Sequence, residues 1–175
     1  MKRYVTTLAL ALFTLPWLAS AQSNTGTTTL SVVVGAEAAL TVTTATTSLT
    51  TTSTTFGLPF TGTTNLTYFI RTTKSGGSGT LTLKVTSDFA GTGGPSVLTP
   101  PSTGDALTYT CTVSAPGTAC TGSQTASLAS STPFGAWGAA ASSVKAGNAA
   151  SVAWSLSDDP VYATGTYTEI GRAHV

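Results

Sequence analysis

Apolar and polar side chains alternate along much of this chain, with the period of two that a half-buried strand requires. In "NLTYFIRTT", Leu66, Tyr68 and Ile70 share one face, while Thr67, Phe69 and Arg71 share the other. After the turn "KSGGSG", the run "TLTLKVTS" sets Leu81, Leu83 and Val85 against Thr82, Lys84 and Thr86. Together these runs predict a hairpin with one buried face. "LTYTCTV" repeats the pattern with Leu107, Tyr109, Cys111 and Val113, and "ASVAWSLS" with Val152, Trp154 and Leu156, which places Trp154 in the core. Upstream, "TTLSVVV" and "ALTVTT" predict two more strands.

Clusters of Gly, Pro, Ser and Asp punctuate these runs. The longest helix-compatible stretch is "GAAASSVKAG", where a short helical turn is expected near residues 139–145. The pattern predicts an all-β fold: a single antiparallel immunoglobulin-like β-sandwich over residues 22–168. "TTATTSLTTTSTT" is low in complexity, but core-like segments flank it closely, so we read it as a loop or irregular edge strand.

Charged residues are 7% of the chain, against roughly 25% in ordinary domains. Solubility must then come from hydroxyls, and β-branched Thr suits a half-exposed pleated face. The opening "MKRYVTTLALALFTLPWLASA" has a basic start, an apolar run and a small-residue site. It predicts a signal peptide over residues 1–21 and a periplasmic, extracellular or cell-surface destination. No later apolar run approaches the roughly 20 residues of a spanning helix. Of seven Lys and Arg, removal of Lys2 and Arg3 leaves five against six acids, too few to form a basic nucleic-acid footprint.

In an exported chain, the cysteine pair of "CTVSAPGTAC" predicts a disulfide, Cys111 to Cys120, across a hairpin turned at Pro116-Gly117. Closing such a loop stabilises by about 2.5 kcal/mol in the chain-entropy picture.

The ending differs in character. After Asp158-Asp159-Pro160, "YATGTYT" reads as the approach to a last strand beginning at Gly165, but the chain then runs into "EIGRAHV". One codon set for these residues, GAG ATC GGA AGA GCA CAC GTC, contains the start of a common short-read sequencing adapter. The expectation is that residues 169–175 are a non-native tail and that the last strand is truncated. Setting the tail aside removes His174, the one histidine, and with it Ser-His or Cys-His catalysis and imidazole ligands.

Other candidate chemistry is sparse. Asp158 and Asp159 are adjacent carboxylates that could offer oxygens to a metal, although adjacent acids before a proline are also typical of a solvated turn. Asp88 and Asp105 could form a glycosidase pair, but nothing around them distinguishes them from turn residues. No cofactor and no catalysis are expected. In "STPFGAWGAAA", Phe134 and Trp137 sit among small residues without strand alternation, so they either stack on a polysaccharide from an exposed loop or plug the end of the sandwich.

Taken together, the leader, the Thr/Ala/Gly-rich strands, the cysteine pair and the closing "KAGNAASVAWSLSDDPVYATGTYT" resemble exported bacterial β-sandwich proteins, which include spore coat protein U-like and fimbrial subunits. The resemblance implies a structural role, self-assembly into a coat or fibre, in which copies or other surface subunits associate by strand addition. The alternative is a carbohydrate-binding or adhesion module built on exposed aromatics.

Overall fold

The computed structural model describes residues 28–174, so the expected signal peptide lies outside the described residues. Among the described residues there are nine strands and no helix. In chain order they are β1 (Glu37–Val42), β2 (Phe60–Arg71), β3 (Gly79–Ala90), β4 (Thr108–Val113), β5 (Thr118–Ala119), β6 (Gln124–Thr125), β7 (Thr132–Trp137), β8 (Asn148–Leu156) and β9 (Thr168–His174). They form two antiparallel sheets, ordered β1-β2-β8-β4-β6 and β5-β7-β3-β9. The sheets pack face to face as the expected β-sandwich.

The core is where the alternating faces meet. Leu66, Tyr68 and Ile70 of β2 and Val152 of β8 are buried from one sheet, and Leu81, Leu83 and Val85 of β3 from the other. Each such side chain contributes roughly 1.5–3 kcal/mol on burial. The expected hairpin of β2 with β3 does not form. β2 pairs with β1 and β8, whereas β3 pairs with β7 and β9. The "KSGGSG" turn carries the chain from one sheet to the other, so the two apolar faces look at each other across the core instead of lying side by side.

The cysteines follow the same rule. Cys111 and Cys120 are joined, with Cα atoms 5.6 Å apart. Cys111 lies on β4, whereas Cys120 follows β5 in the opposite sheet. The bridge is therefore a staple between sheets, not across a hairpin, because the chain crosses over at Pro116-Gly117. That crossing is tight: a Cβ on Gly117 would lie 2.5 Å from Val113 Cγ1 and 2.7 Å from Trp137 Nε1.

Two other local expectations change. "TTLSVVV" is not a strand, and Leu30 and Val32 are 97% and 84% exposed. Pairing begins at Glu37, which faces Arg71, the last residue of β2, so no β2 backbone remains for anything upstream. The segment at residues 139–145 is not helical either. Its backbone bonds to the continuation of β2, with Thr72 N–H donating to Ala141 O at 2.9 Å and Ser143 N–H to Ile70 O at 2.9 Å. "TTATTSLTTTSTT" runs as a loop touching β2 through a Thr50–Thr61 bridge. Trp154 is half-buried against the core, and its Nε1–H donates to Thr64 Oγ1 at 2.8 Å.

Candidate functional site

Two places carry unusual chemistry: the edge of β3 and the acidic end of the sandwich. At the edge, Thr168–His174 takes the position of a closing strand, but it fits poorly. The strand starts later than the Gly165 expected from sequence, because Tyr167 packs over Gly94 and its hydroxyl donates to Ala163 O at 2.7 Å, holding a loop. Pairing of β9 with β3 is interrupted between Val85 and Ser87 and again between Ser87 and Ala90. Side chains substitute for the ladder there: Thr86 Oγ1 donates to Ile170 O at 2.9 Å, and Ile170 N–H donates to Ser87 Oγ at 3.0 Å.

Packing is equally thin. Among the described residues of β9, Ala173 packs against the core, while Ile170 is 63% exposed. Glu169 Oε2 is buried without a hydrogen-bond partner. Burial, then the charge of Asp88, pushes the Glu169 carboxyl up to about 7. Asp88 is held differently. Burial raises it, but the Ser96 hydroxyl and the amides of Val97, Phe89 and Leu98 outweigh that and keep it below the usual carboxylate range. Ser96 Oγ and Val97 N both lie 2.6 Å from it, so Asp88 works as a loop anchor.

At the acidic end, Asp159 Oδ1 accepts the Val161 amide at 2.7 Å and its carbonyl accepts the Tyr162 amide at 3.1 Å, which folds the chain back behind Pro160. The fold-back brings Asp159 and Tyr162 beside Asp105. Asp105 is 2% exposed. Neither its Oδ2 nor the Tyr162 hydroxyl, both buried, has a hydrogen-bond partner. The Val161 amide, then the Ser102 hydroxyl, holds Asp159 below its ordinary value, with Asp105 acting in the same direction. Burial, then the negative charge of Asp105 and the direct approach of its carboxylate to the phenol, and after these the charges of Asp159 and Asp158, drive the Tyr162 phenol far up. Asp158 also lines a cleft of about 270 Å³, together with Phe56, Leu58, Thr108 and Ser155.

The structure thus brings Asp159, and not Asp88, to Asp105. Asp88 and Asp105 occupy separate surroundings, one against Ser96–Leu98 and the other against Ser102, Asp159 and Tyr162. Among the described residues no three His, Cys, Asp or Glu side chains converge as a metal-holding group. His174 is exposed at the end of β9.

Phe134 and Trp137 are not on an exposed loop. They lie on β7, 0% and 3% exposed, and plug the core. A β-bulge explains the missing alternation: Leu81 faces Gly135, but the next residue, Thr82, faces Pro133, so Phe134 is extra and both aromatics turn inward. No aromatic face is left there for a sugar. Among the described residues no helix is long and apolar enough to cross a membrane. Comparison with family models, with curated proteins and with solved structures finds no match.

Proposed function

We propose that this chain is an exported structural subunit of bacterial type, with an immunoglobulin-like sandwich, that assembles into a coat or fibre by strand addition along β3. The observation that carries this reading is the poor fit of Thr168–His174 at the β3 edge. A strand that interrupts its ladder, leaves Ile170 exposed and buries an unpartnered carboxylate oxygen is easily displaced by a better one. A suitable replacement lies in the chain itself: residues 28–36 form no strand, and Leu30, Val32 and Val34, which share one parity, are exposed apolar side chains, as is Val33 between them. Strand addition needs main-chain bonds for affinity and alternate side chains for register. Sedimentation velocity tests this. The native chain should form concentration-dependent oligomers, and L30S/V32S/V34S should stay monomeric. Identical monomeric behaviour of both would count against assembly.

One observation favours a second reading, a polysaccharide-binding module. Phe56 is 66% exposed beside the hydroxyl-lined cleft that includes Thr108, Ser155 and Asp158. Aromatics supply large, rigid contact area with few rotatable bonds. Retention on insoluble polysaccharide that is lost in Phe56→Ala would support binding there.

A further inference from the structure

We propose that Asp105 and Asp159, with the hydroxyls of Tyr162 and Ser102, form a binding site for a hard divalent cation, calcium by its donor set. The starting point is two adjacent buried oxygens without partners. Such groups are rare in folded proteins and costly, because desolvation is not offset by a hydrogen bond. Here Asp105 Oδ2 and Tyr162 Oη are both in that condition, and the phenol lies beside the Asp105 carboxylate without completing a hydrogen bond to it. A third oxygen group, the Asp159 carboxylate, faces the same place.

Two carboxylates that approach this closely share either a proton or a cation. Among the described residues the ion pair present is Arg71 with Glu37, on β2 and β1, so no lysine or arginine contacts Asp105, Asp158 or Asp159. A small cation would answer both problems. It would accept the orphaned oxygen of Asp105 as a ligand and neutralise the pair. The donors on offer are carboxylate and hydroxyl oxygens, which suit calcium. Calcium also tolerates irregular geometry and completes its shell with carbonyls and water. Asp105 is buried, whereas Asp159 is half-exposed, so an ion could reach the pair from solvent. Bound there, it would tie the loop containing Asp158–Tyr162 to the segment that leads into β4 at Thr108.

Thermal unfolding of the full chain, stripped with EDTA and then titrated with calcium chloride, tests the site. An affinity like that of extracellular calcium modules, about 10⁻⁴ to 10⁻³ M, is expected. Calcium at a hundredfold excess should then raise Tm by about 5 °C or more. Asp105→Asn should abolish the rise while leaving Tm in EDTA unchanged or higher, since it removes one of the crowded charges. If that variant does not fold, Asp159→Asn at the half-exposed position carries the same expectation. Terbium should show emission sensitised by Tyr162 in the native chain that Tyr162→Phe weakens. The proposal is overturned if Tm in calcium equals Tm in EDTA, or if the calcium shift survives in the asparagine variants. It is equally overturned if Asp105→Asn stabilises the chain while calcium has no effect on the native protein, because a proton shared between Asp105 and Asp159 would then account for the pair.

Discussion

Tyr68 and Trp137 meet across the two sheets, their ring centroids 4.8 Å apart and their planes tilted by 56°. The contact joins β2 to β7 and makes Trp137 a structural residue. Trp137→Ala should lower unfolding free energy by about 3–5 kcal/mol, as expected when a buried aromatic is truncated. Urea denaturation measures it, and retention on polysaccharide should be unaffected among the molecules that remain folded.

The bridge between Cys111 and Cys120 ties one sheet to the other. Reduction, or the C111S/C120S pair, should destabilise the chain by about 2.5 kcal/mol. A lower urea midpoint in dithiothreitol would show it. No change would mean that the sheets hold together without the staple.

Gly117 has no room for a side chain, since an added Cβ would meet Val113 and the Trp137 ring. Gly117→Ala should destabilise by about 1–3 kcal/mol, in the range for overpacking a filled core. Gly122, where a Cβ meets nothing within 4 Å but φ is +67°, provides a comparison governed by backbone conformation alone.

Glu169 gives the chain a pH dependence of definite sign. Its carboxyl is raised from 4.5 to about 7 in the folded state, first by burial and then by Asp88. Between those values the folded chain binds more protons than the unfolded one, so this group makes stability fall as pH rises from 4.5 to about 7. Asp88, held low by its hydrogen bonds, acts oppositely and loses its contribution only in acid. Thermal melts at pH 5 and pH 8 should show a higher Tm at the lower pH, and Glu169→Gln should flatten that difference. An unchanged slope in the variant would remove Glu169 as its cause.

Much of the fold was legible because alternation reports which side chains face a core. It marked Leu66, Tyr68 and Ile70, Leu81, Leu83 and Val85, and Tyr109 and Val152, all of which are buried. Alternation does not say whether two buried faces lie side by side or opposite, so it suggests a hairpin of β2 with β3 where the chain crosses between sheets. The bulge at Phe134 hid a strand by breaking the period. The acidic site was half visible. Asp105 has the parity of Leu107 and Tyr109, so extending that face two residues upstream would have placed its carboxylate inside. Its meeting with Asp159 could not be read, because the two come from loops far apart in sequence.

The central claim is that the edge of β3 exchanges its present strand for residues 28–36 of another copy. Hydrogen exchange, compared at low and high protein concentration, addresses this directly. As copies associate, amides of residues 28–36 should gain protection while those of Thr168–His174 lose it and β3 stays protected. Protection at residues 28–36 that does not change with concentration, with Thr168–His174 equally protected throughout, would contradict the account.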